Sequence, residues 1–221
     1  MSLCLIPARL NSVRLPGKNL LPFAGRPLAE WSIRTALEAA IFETVVVTTD
    51  QPEILWQEID PELAREVLWI RQHEDDKNCA DILCRISQLL CDPDDPDSVL
   101  CCLYATAPWV TLWDLRAALG ALQGKLELLV SAVPGSRIPD GGFQMIRREA
   151  LRNRRSLTPD PEEPGRDGAV PLINAQRHVD LNTRADYDEL LGHEYLYLAA
   201  RKAWTPQWET GTNTGNLSFG N

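Results

Sequence analysis

The chain has 221 residues, with 22 Lys+Arg against 31 Asp+Glu, a formal net charge of −9 and 44% hydrophobic residues. That length suits one α/β-sized domain, alone or with a small appendage. The acidic balance argues against coating nucleic acid, whose phosphates require a basic face, and no run of about 18 apolar residues is present to span a membrane.

The opening M-S-L-C-L-I-P-A-R is too short an apolar run for a signal peptide, so a cytoplasmic location is expected. Six cysteines, Cys4, Cys79, Cys84, Cys91, Cys101 and Cys102, form no C-x-x-C pair. They read as small buried hydrophobes in a reducing compartment rather than as a zinc knuckle.

Residues 3–8 read as a first buried strand, followed by a loop rich in Pro, Gly and basic residues. Pro27 opens an amphipathic helix with Leu28, Trp31, Ala36 and Leu37 among its apolar positions. T-V-V-V-T-T from Thr44 is a β-branched second strand ending in Asp50. A helix at 53–58, a strand at 68–71 and a helix at 80–91 follow. D-P-D-D-P-D at 92–97 is a solvated turn, because two prolines and four carboxylates cannot continue a helix. A strand at 99–104, a helix capped by Thr111 and running to 123, and a strand at 128–133 complete this part.

Continuous apolar strands separated by helices predict an α/β fold, an open and mostly parallel sheet with helices on both faces. The stretch 134–174 differs: a strand at 143–146, a short helix, then a Pro-rich, mixed-charge loop at 155–168. A last strand is expected to end at 179–181 and a helix to begin near Arg184, so that 175–204 completes the core begun by 1–133. From 205 the tail is polar and Gly-rich.

The most informative stretch is 7–19, P-A-R-L-N-S-V-R-L-P-G-K-N, at the carboxyl end of the first strand, where open α/β sheets bind ligands. It holds Arg9, Arg14 and Lys18, with Arg26 just beyond, and residues 1–26 contain no Asp or Glu. Cations plus backbone N–H groups in a Gly/Pro-punctuated turn suit a phosphate cradle. The loop is not a Walker loop, because Asn19 follows Gly17-Lys18 and no Gly stands five positions earlier. G-x-G-x-x-G is also absent, which disfavours an NAD oxidoreductase.

The same residues resemble the opening of the acylneuraminate (CMP-sugar) cytidylyltransferases, I-P-A-R-x-G-S-K-x-x-x-x-K-N. S-V-R-L-P-G-K is also similar to the S-T-R-L-P-G-K of Kdo (3-deoxy-manno-octulosonate) cytidylyltransferases. L-P-F-A-G-R-P-L-A-E-W-S-I at 21–33 and V-V-V-T-T-D at 45–50 continue the first likeness, which covers about the first 50 residues. Val13 and Arg14 replace that family's Lys and Gly, moving one cation by a residue as in the Kdo branch. L-Y-A-T-A-P at 103–108 resembles Y-A-T-A-P of pseudaminate cytidylyltransferases and lacks the carboxylates of the Kdo motif Q-G-D-E-P. D-G-G-F-Q at 140–144 is faintly similar to the pseudaminate D-A-G-Q-F, and reads equally as a Gly-Gly turn.

H-V-D-L-N-T-R-A-D at 178–186 resembles D-I-D-T-x-x-D, whose paired Asp residues bind a divalent metal in that family. Asp180 matches the first; Asn182 stands at the second, an oxygen donor without charge. Asp180 otherwise reads as a cap for the next helix, and Asp186 as a first-turn acid complementing the dipole. His178 and the pair Trp109 and Trp113 read as structural; Asp50 closes its strand, with an approach to the nucleotide as the alternative to a purely structural role.

The resemblance implies a nucleotidyltransferase of the CMP-sugar synthetase type, acting on CTP and an acidic keto sugar as a homodimer with magnesium. It implies catalytic roles for Arg9, Arg14, Lys18 and Asp180. Nucleotide contacts would come from Pro7, Ala8, Arg9, Asn11, Ser12, Arg14, Lys18, Asn19, Ala105 and Thr106, and metal contacts from Asp180 and Asn182. The segment 134–174 would carry sugar contacts and a dimer arm. Two alternatives stay open: a non-catalytic nucleotide-binding homologue, and a nucleotidyltransferase for another base or acceptor.

Overall fold

The structure is a computed structural model that describes residues 1–204 except 77, 96, 123–125, 133–138, 153, 155, 160–165 and 172–178. In chain order the strands are β1 (Ser2–Pro7), β2 (Pro22–Phe23), β3 (Arg26–Pro27), β4 (Thr44–Thr49), β5 (Leu68–Arg71), β6 (Val99–Leu103), β7 (Leu128–Ala132), β8 (Pro139–Arg147) and β9 (Asp167–Pro171). The helices are α1 (Leu28–Ala39), α2 (Pro52–Glu58), α3 (Pro61–Arg65), α4 (Cys79–Leu90), α5 (Leu112–Leu122), α6 (Arg148–Leu151), α7 (Arg184–Gly192) and α8 (Glu194–Trp204). Seven strands form one sheet in the order β5-β4-β1-β6-β8-β7-β9, and β2 and β3 form a separate ribbon. No helix among the described residues is long and apolar enough to cross a membrane.

The period-two alternation of the central strands assigns side chains to two cores. Cys4, Ile6, Val45, Val47, Cys101 and Leu103 face one side, packed with α1 residues such as Ile33 and α5 residues such as Leu115. Leu3, Leu5, Val46, Leu100 and Cys102 face the other, packed with Ile82, Leu83 and Ile86 of α4. With both faces covered, β1, β4 and β6 read as unbroken apolar runs, and the six cysteines are all free thiols.

Helix starts follow side-chain chemistry. The Asn78 side chain accepts from the amides of Ala80 and Asp81 at 2.8 and 3.1 Å at the start of α4. Thr111 Oγ1 accepts from the Asp114 amide at 3.3 Å, the cap expected before α5.

The sheet is parallel through β5, β4, β1 and β6, and again between β7 and β9, but β8 runs antiparallel to both β6 and β7. The boundary expected near 133 therefore falls between two strands of one sheet. The expected last strand would end at 179–181; those residues are irregular, and 172–178 before them lie outside the described residues. β9 instead fills the sheet edge, starting within the last residues of the expected loop 155–168. α3, the β2–β3 ribbon and α8 lie outside the sequence expectation because each is short or depends on tertiary packing. The 205–221 tail lies outside the described residues.

The loop after β1 is held by one carboxylate. Asp50, just past β4, accepts from the amides of Leu10 at 2.8 Å and Asn11 at 3.1 Å. Burial works to raise its pKa, but these amides and the Thr49 hydroxyl outweigh it and hold the carboxyl below the ordinary 3.8. Gly17, at φ 66°, turns the chain back so that its amide donates to the Leu10 carbonyl at 2.9 Å. Asn19 is only 3% exposed, and its side-chain amide donates to the Arg9 carbonyl at 2.6 Å.

Leu5→Ala, fully buried on β1, is expected to cost about 2–5 kcal/mol in urea unfolding. Leu89→Ala, exposed on α4, should stay within about 0.5 kcal/mol. Asp50→Ala leaves two loop amides unpaired, and tryptic cleavage after Arg14 should accelerate several-fold. Because the folded pKa of Asp50 is depressed, its clamp is complete above 3.8 and is lost as pH falls through the lower folded value. Peptic cleavage of the loop should therefore rise in acid in the wild type and change less with pH in Asp50→Ala.

Candidate active site

At the carboxyl edge of the sheet lies a cavity of about 360 Å³, within the range of small-molecule sites. Arg14 and Lys18 come from the β1 loop, Tyr104 and Thr106 from the turn after β6, Asp140 and Gln144 from β8, and Asp180 and Asn182 from the approach to α7.

Lys18 ties the two ends of the chain together. Its Nζ donates to the Leu181 carbonyl at 2.9 Å, across 163 positions of sequence. Burial lowers its pKa from the ordinary value, the Arg14 cation lowers it further, and Asp180 and Asp186 oppose both. A partly buried Lys18 beside an exposed Arg14 favours an anion between them. Arg14 and Arg9 are exposed, and neither side chain has a hydrogen bond or ion pair among the described residues.

Arg26, counted with the basic stretch on sequence grounds, is turned away. Its guanidinium pairs at 2.5 Å with Glu30, itself 2% exposed, in a cluster with Arg34 and Asp60. The amide cradle expected of the loop is also largely committed elsewhere. Leu10 and Asn11 donate to Asp50, Ser12 and Gly17 to the Leu10 carbonyl, and Lys18 to the Leu15 carbonyl. The loop therefore presents cations more than backbone donors.

The cavity wall includes Arg14, Lys18, Thr106, Asp180 and Asn182 of the expected set. Pro7, Ala8, Arg9, Asn11, Ser12, Asn19 and Ala105 stand behind or beside it. Ala8 continues the sheet ladder through its amide to Thr48, Asn19 braces the loop, and Ala105 is buried in the core. Trp109 is likewise in the core, and Trp113 is partly exposed with Arg116 over its ring at 5.2 Å. His178 lies outside the described residues.

The start of α7 decides between two roles for Asp180. Thr183 and Asp186 form a reciprocal capping box, and Asp186 also accepts from the Asn182 amide at 2.8 Å. The helix end is thus already satisfied, and the Asp180 side chain is left to the cavity.

Sequence reasoning undervalued Asp140 and Gln144. The Tyr104 amide donates to the Gly142 carbonyl at 3.0 Å, and the Tyr104 hydroxyl to Gln144 Oε1 at 3.3 Å. These bonds fasten the beginning of β8 to the end of β6. D-G-G-F-Q was visible as a motif, but its antiparallel placement was not.

The donors suit magnesium. Asp180 offers a carboxylate, Asn182 an amide oxygen, and Asp140 has a buried Oδ2 with no hydrogen-bond partner. No group of three or more His, Cys, Asp or Glu gathers among the described residues. Magnesium takes one or two carboxylates and completes its shell with water and phosphate oxygens.

The pseudaminic acid cytidylyltransferase of Campylobacter jejuni is 36% identical over 114 residues, 48% of this chain and 47% of that protein. The chain thus spans about half the length of the curated relatives it matches. A CMP:2-keto-3-deoxy-manno-octonic acid synthetase solved in complex with CTP superposes with a TM-score of 0.59 at 18% identity, covering 91% of this chain and 99% of that one. A Mycobacterium tuberculosis protein solved with manganese gives a TM-score of 0.60 at 18% identity, covering 86% and 97%. At these identities the two structures establish the fold alone, an open α/β sheet. The family model described as cytidylyltransferase matches residues 3–132, and this chain belongs to that family.

Proposed function

We propose that this chain transfers a cytidylyl group from CTP to the anomeric hydroxyl of an acidic 2-keto sugar, releasing pyrophosphate. The observation carrying this reading is the Arg14–Lys18 cation pair, which shares one cavity with Asp180 and Asn182. The choice of CTP and of an acidic acceptor draws on the family and on the named activities of the relatives. The reading includes a homodimer working in the cytoplasm, and sugar contacts from 134–174.

In this reaction the sugar hydroxyl oxygen attacks the α-phosphorus in line. The bond from that phosphorus to the bridging oxygen breaks, and the electron pair leaves with pyrophosphate. The hydroxyl proton passes to water or to a carboxylate at the cavity. Arg14 and Lys18, with Arg9 at the rim, neutralise the triphosphate and the departing pyrophosphate. Lys18 suits this because burial has already removed part of its hydration, and an incoming phosphate restores a favourable partner. Asp180 and Asn182 would hold magnesium, which when bound would offset charge on the phosphoryl oxygens. Tyr104, Thr106 and Gln144 line the remaining wall, where the base or acceptor is recognised.

Asn182 favours one second reading, a nucleotide-binding protein that does not turn over. CTP binding without pyrophosphate release would identify it.

The deciding experiment is pyrophosphate release with magnesium, using four nucleoside triphosphates against several acidic keto sugars. CTP with at least one such sugar should give turnover; silence with every pair contradicts the catalytic reading. Lys18→Ala should weaken CTP binding at least about ten-fold by calorimetry, while losing the bond to Leu181 should cost only about 1 kcal/mol in urea unfolding. Asp180→Ala should lower magnesium-dependent pyrophosphate release by about 100-fold or more.

A further inference from the structure

The resemblance at 178–186 implies a pair of carboxylates, and Asn182 leaves that pair one short. A second carboxylate reaches the same cavity from a distant part of the chain. Asp140, the second residue of β8, is 5% exposed and lines the cavity with Asp180 and Asn182.

The two oxygens of Asp140 are used differently. Oδ1 accepts from Ser131 Oγ at 2.5 Å and from the Gly142 amide at 2.9 Å. Oδ2 is buried and has no hydrogen-bond partner. A buried carboxylate oxygen without a donor is costly unless a ligand satisfies it. Among the described residues no cation lies within ion-pair distance of Asp140.

Gly141 separates the two carboxylates. Its φ of 78° is one that side-chain-bearing residues rarely adopt, and a Cβ placed there would already touch Asp180 Oδ1 at 3.8 Å. The residue between Asp140 and the Asp180 side chain therefore adds no bulk to the gap. A hydroxyl or amide donor from a ligand would satisfy Asp140 Oδ2 but would leave two negative charges facing one cavity. A divalent cation satisfies the oxygen and offsets both charges.

We propose that Asp140 supplies the second carboxylate of the divalent-cation site, with Asp180 and the Asn182 side-chain oxygen, taking the place of the carboxylate missing at 182. This inference rests on the cytidylyltransferase reading of the cavity, but its test does not depend on turnover. Asp140→Asn is a fitting variant, because the Asn oxygen keeps both bonds from Ser131 and Gly142 while an uncharged NH2 that cannot ligate a cation replaces Oδ2.

Mn2+ is titrated into the protein, and the free ion is followed by electron paramagnetic resonance. Asp140→Asn should weaken Mn2+ binding at least ten-fold. The double variant Asp140→Asn with Asn182→Asp should recover most of the loss. Wild-type affinity in Asp140→Asn overturns the inference; if the KM of the acceptor rises in that variant, Asp140 contacts the sugar instead. A second measurement needs no variant. Saturating Mg2+ should shift the side-chain carboxylate 13C signals of both Asp140 and Asp180 in the wild-type protein, and a shift confined to Asp180 overturns the inference. Mn2+ binding through Asp140 in a protein that releases no pyrophosphate supports the site and contradicts the catalytic reading alone.

Discussion

β8 runs against β6, with Leu103 opposite Phe143 and Val99 opposite Arg147, and this reversal determines which residues share the cavity. In a wholly parallel sheet, the carboxyl edge would receive only the loops that leave the strands. Because β8 is antiparallel, its beginning arrives at the edge where β1, β4 and β6 end. The bond from the Tyr104 amide to Gly142 pins it there. Asp140 and Gln144 thereby face Arg14, Lys18 and Asp180, which come from the two ends of the chain. Ser131 on β7 strengthens the arrangement: its hydroxyl joins Asp140 Oδ1 and also accepts from the Phe143 amide at 2.8 Å.

Electrostatics at this edge separate charges that build the site from charges that serve it. Asp50 is consumed in ordering the β1 loop, and Glu30 in neutralising Arg26 and Arg34. Asp186 is drawn to the amides of Asn182 and Thr183, which depress its pKa. What remains turned toward the cavity is one cation pair and two carboxylates. The first 26 residues carry +4 and the other 195 carry −13. The structure narrows that asymmetry, since one of the four cations, Arg26, is neutralised internally and three remain around the loop.

Much of this was legible in the sequence because the signals are local. The apolar runs of β1, β4 and β6 could only be strands buried on both faces, and Gly17 marks a turn that requires positive φ. Thr111 and Asp186 announced their helix starts by spacing alone. The Arg9–Lys18 loop was legible through its likeness to a family signature. What could not be read depends on pairing between distant segments. The direction of β8 is set by its partners β6 and β7, not by D-G-G-F-Q itself. The short α3 and the β2–β3 ribbon have too few residues for a periodic signal. V-D-L at 179–181 leads irregularly into α7, and β9 occupies the edge beside β7. That irregular path is what leaves Asp180 beside Gly141 instead of in a ladder.

In the proposed reaction the loop after β1 and the residues around Asp180 together receive the triphosphate. Hydrogen–deuterium exchange with and without CTP and magnesium tests it directly, since it maps contact without assuming turnover. Slowed exchange is expected in the peptides covering 9–19 and 179–183, with β8 from 139 to 144 as the third protected segment. Unchanged exchange in 9–19 with protection elsewhere on the protein would contradict it.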